Sequence, residues 1–261
     1  MPKYTILVAA LLFFCLLSKG QTGKTFTVVQ GAIVRGDTAQ KQLAFVFTGD
    51  EFGEGLSAIA NTLQAEKVKA GFFFTGRFFR NSDLQPVIKA LQQQGHYLGP
   101  HSDNHLLYND WTKRDSLLVS RDSFSVDLSR NLATMRSLSL PVYRDHLFIP
   151  PYEWWNDSIA AWTGTKGLRL FSFTPGMRTA ADYTYPEMGA SYKSSEWLVN
   201  WLKELVASFP QKLNGAILLI HAGTDPRRKD KLYDRLTEII LFLKNDGFVF
   251  RRIDELLHEE N

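Results

Sequence analysis

The chain has 261 residues, 44% of them hydrophobic, 22% charged and 13% aromatic, with 30 basic and 27 acidic side chains and a formal net charge of +3. That composition excludes a disordered or fibrous protein, and the lack of any basic run of five or more excludes a nucleic-acid binder driven by phosphate neutralisation. The single cysteine, Cys15, excludes an intrachain disulfide framework and a cysteine-rich metal site. Any metal must be held by histidine and carboxylate.

The first element is an address. Lys3 precedes an unbroken apolar run from Ile6 to Leu17. As a helix it is about 18 Å long, against the roughly 30 Å of bilayer hydrocarbon, so it fits a secretory leader rather than a span. Ser18 and Gly20 place small residues for cleavage before Gln21. Residues 1–20 are therefore expected to be a signal peptide, 21–261 a single domain, and the protein exported. Lipidation at Cys15 and an uncleaved anchor are the alternatives. Phe14, where a lipid box asks for a small residue, argues against lipidation.

Downstream, apolar runs alternate with helical patterns. Strands are predicted at Leu43–Phe47, Gly71–Phe74, Tyr97–Gly99, Leu147–Ile149, Leu168–Phe173, Ala216–Ile220 and Phe248–Phe250. Helices are predicted at Leu56–Val68, Leu84–Gln94, Asp122–Leu138, Asn156–Lys166, Ser194–Phe209 and Lys231–Asn245, with Gly95 and Gly167 as stops. This alternation implies βαβ units and a mostly parallel sheet, and about seven repeats point to barrel-like closure. An open doubly wound sheet is the alternative. There is no G-x-G-x-x-G and no Walker loop, so no nucleotide site is expected.

In such folds chemistry lies beyond the carboxyl ends of the strands. After Phe47 comes Thr48-Gly49-Asp50-Glu51-Phe52, and after Leu98 comes Gly99-Pro100-His101-Ser102-Asp103-Asn104-His105. Pro150-Pro151-Tyr152-Glu153-Trp154-Trp155 follows Ile149, Thr174 to Asp182 follows Phe173, and His221 follows Ile220. On a helical turn, the spacing of four would put His101 and His105 on one face, suited to one metal ion. Asp50 or Glu51 would complete a facial triad, the other carboxylate would serve as base, and His221 as acid. The bland readings are a capped turn at 102–104, a solvated Asp50-Glu51 pair, a core histidine at 221 and core tryptophans at 154 and 155. Their conjunction at strand ends favours the functional reading.

In motif order, the chain from Leu43 to Leu256 resembles the NodB-homology polysaccharide deacetylases, a carbohydrate esterase family. Thr48-Gly49-Asp50-Glu51-Phe52 stands where the family has T-F-D-D-G. His101-Ser102-Asp103-Asn104-His105 fits H-[ST]-x-x-H in full. Pro150-Pro151-Tyr152 keeps the prolines and aromatic of the third motif, and Leu218-Leu219-Ile220-His221 matches the closing L-x-x-H. The resemblance implies a distorted (β/α)7 barrel and metal-assisted removal of N- or O-linked acetyl groups from a glycan.

By position the resemblance makes Asp50 the base, Glu51, His101 and His105 the metal ligands, and His221 the acid. The backbone N–H of Tyr152 becomes an oxyanion donor. Asp182-Tyr183 stands for the fourth-motif pair, and the aromatic faces of Trp154, Trp155 and Tyr183 are expected to stack on sugar rings. The implied cofactor is one divalent transition metal, zinc first, with cobalt, nickel or iron as alternatives. The implied partner is an acetylated glycan, with no nucleic acid, nucleotide or protein partner.

Three departures stand out. Glu51 is longer than aspartate by one methylene, a displacement of ~1.5 Å. Gly49 and Phe52 replace Phe and Gly. No arginine stands beside the third motif to orient the base, so Arg178 or Arg144 is expected to supply it. These departures leave two alternatives: an inactive carbohydrate-binding relative, and a metal hydrolase acting on a non-sugar amide or ester.

Overall fold

The computed structural model describes residues 25–142 and 145–258; the expected leader, Cys15 and Arg144 lie outside them. In chain order the elements are β1 (Thr27–Val29), β2 (Ala32–Arg35), β3 (Gln42–Gly49), α1 (Leu56–Ala65), β4 (Gly71–Phe74), α2 (Gly76–Arg80), α3 (Gln85–Gln93), β5 (Tyr97–Pro100) and α4 (Arg121–Ser137). There follow β6 (His146–Phe148), α5 (Asp157–Thr165), β7 (Leu168–Leu170), α6 (Ser195–Ser208), β8 (Ala216–His221), α7 (Leu236–Asn245), β9 (Val249–Phe250) and α8 (Ile253–Leu256). The hairpin β1–β2 and the short helices α2 and α8 have no counterpart in the sequence reading.

Side-chain alternation along the strands creates two apolar layers. On β3, Leu43, Phe45 and Phe47 join the layer under the helices, while Ala44 and Val46 face the interior. On β8, Leu218 and Ile220 point out, and Ile217 and Leu219 point in. Phe73, Leu147, Ile149 and Phe171 complete the interior, which Ile253, Leu256 and Leu257 close beneath. The helices are anchored at their starts. Ser120, Asn156 and Ser194 accept from the backbone N–H three residues on, at 3.1 Å each.

The barrel is distorted because only half of its wall is a continuous ladder. β5, β4, β3 and β8 run parallel in that order, with β9 also paired to β3. β6 and β7 pair with each other. Side chains sew the pieces together. Tyr97 Oη accepts from Leu147 N (2.8 Å), and His146 Nε2–H donates to Leu98 O (2.8 Å). On the far side Thr174 bridges β2 and β8: its N–H donates to Ile217 O (3.1 Å), and its hydroxyl donates to Val34 O (2.7 Å) and accepts from Ile217 N (2.9 Å). A parallel bridge between Ile33 and Phe171 joins β2 to the chain beyond β7. The barrel reading holds, and the open sheet does not.

Candidate active site

Interior positions followed to the carboxyl ends of the strands arrive at the barrel mouth. Ala44, Val46 and Thr48 lead to Asp50; Tyr97 and Gly99 lead to His101; Ile217 and Leu219 lead to His221. The register pairs Thr48 with His221, which sets the two chain ends side by side. The same parity turns Glu51 outward. It is exposed and lines a neighbouring cleft with Phe52, Glu54, Thr224 and Lys229. The expected meeting of Glu51 with the histidines is not seen, and Asp50 stands beside them instead.

The H-x-x-x-H segment is not the helical turn that its spacing predicts. Ser102 and His105 adopt φ of +68° and +55° in an irregular loop, and His105 N donates to Ser102 Oγ at 2.9 Å. The loop still brings the two imidazoles together, with ring centres 5.0 Å apart. Asp127, buried on α4, is its brace. It accepts from the N–H of Asp103 (3.0 Å) and Asn104 (3.1 Å) and from the Asn104 amide (2.8 Å). Arg80 on α2 holds Asp103 at 2.6 Å. Gly76 permits this approach, since a Cβ there would lie 1.7 Å from the Asp103 carboxylate.

His101 is almost fully buried. Its Nδ1–H donates to Ile149 O at 2.9 Å, which leaves the Nε2 lone pair for the cleft. Burial pushes His101 down to about 3 and His105 down to about 4, so both are neutral at physiological pH. His105 Nδ1 lies 3.8 Å from Asp50 Oδ2. Burial works to raise the Asp50 pKa, but the Arg77 hydrogen bonds and the His105 field outweigh it and hold it low. Arg77 Nε donates to Asp50 Oδ1 at 2.5 Å, and Arg77 Nη2 pairs with Oδ2. Arg77 thus takes the carboxylate-orienting place that the sequence reading gave to Arg178 or Arg144. Arg178 is exposed.

On the neighbouring strand β8, His221 Nδ1–H donates to Asp182 Oδ1 at 2.6 Å, while His221 N donates to Oδ2 at 2.9 Å. Asp182 is fully buried. It is the orienting partner of His221 rather than a sugar contact. Burial alone would depress His221, yet the Asp182 charge and hydrogen bond raise its pKa overall. Glu153 sits between the two groups. Its Oε1 is 3.9 Å from His101 Nε2 and its side chain is 12% exposed. Burial pushes its carboxyl up to about 7.

The aromatics sort by surroundings. Trp155 is core, its indole donating to Val29 O (3.2 Å) and Gln30 O (3.1 Å). Trp154 is half-buried, donates to Asp110 O at 3.2 Å and lies under Arg114. Tyr152 packs on His105 with centres 4.4 Å apart, and the exposed Trp111 reaches both Tyr152 and Trp154 (5.6 and 5.7 Å). An aromatic ridge therefore runs outward from His105. Tyr183 is exposed beside His221, with ring centres 5.8 Å apart.

The sequence reading gave no role to Arg77, Asp127, Glu153 or Trp111. Arg77 had a visible signal, since it follows the end of β4 as the other candidates follow their strands. Glu153 did too, as the one charge within Pro150–Trp155. Asp127 and Trp111 had none.

Two neutral imidazoles and an ionised carboxylate suit a divalent transition ion by donor chemistry. Among the described residues, no three His, Cys, Asp or Glu side chains converge into a ready cage. The fit rests on donor type and pairwise approach.

The sequence profile described as Polysaccharide deacetylase matches residues 35–171, just over half of the chain. The chain belongs to that family. It is 25% identical over 240 residues to an uncharacterised 30.6 kDa protein of Geobacillus stearothermophilus, covering 88% of this chain and 76% of the relative. It is 23% identical over 234 residues to the peptidoglycan-N-acetylmuramic acid deacetylase PdaA of Bacillus subtilis, with the same coverage. The solved structure of that PdaA, a family 4 carbohydrate esterase, superposes with a TM-score of 0.67 at 20% identity, covering 87% and 85% of the two chains. A family 4 pseudoenzyme from Bacillus anthracis gives 0.68 at 19% identity, covering 88% and 70%. At these identities the superpositions speak for the fold.

Proposed function

We propose that the protein is an exported, metal-dependent hydrolase that removes acetyl groups from a glycan. The observation that carries this reading is the convergence, at one barrel mouth, of the His221–Asp182 pair and the His101–His105–Asp50 group. PdaA, by its name, acts on peptidoglycan, and another fold neighbour is the carbohydrate esterase domain of a xylanase. N-acetylated and O-acetylated glycans are therefore both within the proposal.

His101 through Nε2, together with His105 and Asp50, would hold the ion. A bound divalent ion supplies polarisation of the acyl carbonyl and a lowered pKa for water. Arg77 orients Asp50 and leaves a lone pair free on each of its oxygens, so Asp50 can hold the ion or take the proton of the attacking water. The N–H of Tyr152 is the candidate donor to the developing oxyanion. His221, its imidazolium supported by Asp182, protonates the departing nitrogen or oxygen. The Tyr152–Trp111–Trp154 ridge offers faces for sugar rings.

The test is acetate release by the zinc-loaded protein from an N-acetylglucosamine tetramer, solubilised peptidoglycan and acetylated xylan. Release from at least one, abolished by chelation and restored by zinc, supports the reading. No release from any of them, with zinc bound, contradicts it.

A further inference from the structure

Of the six tryptophans, Trp111 is the most exposed, at 54%. It stands in the chain between β5 and α4, one ring beyond the Tyr152 that packs on His105. A large indole left half in water forgoes burial that the fold could have gained. Exposed aromatics gathered beside a cleft mark a surface that meets a ligand.

The loop that presents Trp111 is built to hold still. Asn109 and Leu117 form an antiparallel bridge, and Asp110 N donates to Ser116 O at 2.9 Å. The Asp110 carboxylate accepts from Thr112 N (2.8 Å), the Thr112 hydroxyl (2.7 Å) and Lys113 N (2.7 Å), an Asx turn around the tryptophan. From the β6 side, Arg114 Nε donates to Trp155 O at 2.6 Å, and its guanidinium lies 4.1 and 4.9 Å from the Trp154 and Trp155 ring centres. Asn156 donates to Arg114 O at 3.0 Å. At the base of the loop, Tyr108 is fully buried against Phe124. Bracing of this kind removes chain freedom before a ligand arrives, so stacking on Trp111 does not have to order the loop.

Phe209 is the contrast. It is equally exposed, at 55%, but it ends α6 beside the start of β8, at the other end of that strand from His221. Trp111 alone of the two continues a line of rings out of the mouth. A sugar ring has an apolar C–H face and a polar rim, which an indole face and its N–H edge complement.

We propose that Trp111 is a specificity-determining residue: it holds a sugar ring beyond the reacting one, so that the protein selects glycan chains over disaccharides. The proposal rests on the glycan substrate of the reading above. His105 marks the place of the reacting sugar, Tyr152 is the first face outward and Trp111 the second. A disaccharide ends before the second face, and a longer chain covers it.

The experiment measures binding rather than turnover. Calorimetry on the zinc-loaded protein reads the affinity for dimers, tetramers and hexamers of N-acetylglucosamine and of acetylated xylose. It compares wild type, Trp111→Ala, Trp111→Phe and Phe209→Ala, with Tm and zinc stoichiometry beside each. In at least one series, wild-type affinity should rise from dimer to tetramer by about tenfold, or about 1.4 kcal/mol. Trp111→Ala should remove that gain while Tm and zinc stay at wild-type levels. Trp111→Phe, with a smaller ring, should recover part of it, and Phe209→Ala should bind as wild type does.

Three results overturn the proposal. The first is a wild type whose affinity does not rise with length in either series. The second is a Trp111→Ala variant that keeps the whole gain. The third is a gain lost only together with Tm or zinc, in both Trp111 variants, which makes the residue structural. A wild type that gains affinity through Trp111 yet releases no acetate overturns the deacetylase reading instead, and leaves the selection of chains standing.

Discussion

On the β8 wall of the cleft, His221 and Asp182 satisfy one another: both carboxylate oxygens are used and the imidazole is fixed at Nδ1. In the rest of the cleft, Arg77 holds Asp50, His101 is tethered by a single bond to Ile149 O, and His105 only approaches Asp50, at 3.8 Å. Glu153 has no hydrogen-bonded partner for its carboxylate among the described residues. The first wall is finished by side chains within one part of the fold. The second leaves His101 Nε2 and the Glu153 carboxylate without a hydrogen bond among the described residues. A proton donor needs a fixed tautomer and a fixed direction, which hydrogen bonds supply. Groups that hold an ion or deprotonate water need free lone pairs instead. The difference separates what the fold completes from what it reserves for chemistry.

The sharpest way to break that comparison is His221→Ala. It should lower kcat by about 10³-fold, within the range for a lost general acid, while zinc stoichiometry stays at wild-type level. Loss of zinc in this variant would mean that the walls do not divide the work in this way.

Asp127→Ala probes the rest of the cleft from behind. It strands the Asp103 and Asn104 N–H groups in a buried loop. The expected costs are about 1–3 kcal/mol of stability in chemical denaturation and roughly 10–100-fold in zinc affinity, with the His221 side unaffected. An unchanged zinc affinity would show that the loop holds its shape without the brace.

The smallest effect concerns a histidine outside the cleft. His96 Nδ1 accepts from Ala70 N (3.1 Å), and burial pushes its pKa down to about 4 from an ordinary 6.5. The unfolded chain therefore takes up this proton first, so stability falls as pH drops from about 6.5 towards 4. Between pH 7 and 5 the loss is about 2 kcal/mol. His101 and His105, also held low, act in the same direction. His96→Gln should flatten this part of the stability profile. A profile identical to wild type would contradict the neutral, accepting His96.

Much of the frame was legible because it rests on period. The apolar runs at 43–47, 97–99 and 216–220 are strands whose two faces serve two layers, and their interior parity leads to Asp50, His101 and His221. What escaped depends on three-dimensional detail. Glu51 and Asp50 are adjacent in sequence, and only strand parity sends one out and the other in. His101 and His105 meet through a loop with two left-handed residues, a geometry that spacing does not report. Arg77 reaches Asp50 from a separate strand end, although nothing near the third motif hints at it. Hairpin β1–β2, with strands of three and four residues, is too short for a period, and it takes its place by sealing the barrel beside Thr174.

The most direct test of the central claim is the metal content of the purified protein after zinc loading, beside a His101→Ala/His105→Ala double variant of matched Tm. The account predicts about one equivalent in the wild type and almost none in the variant. Equal metal in the two, or none in either, would contradict it.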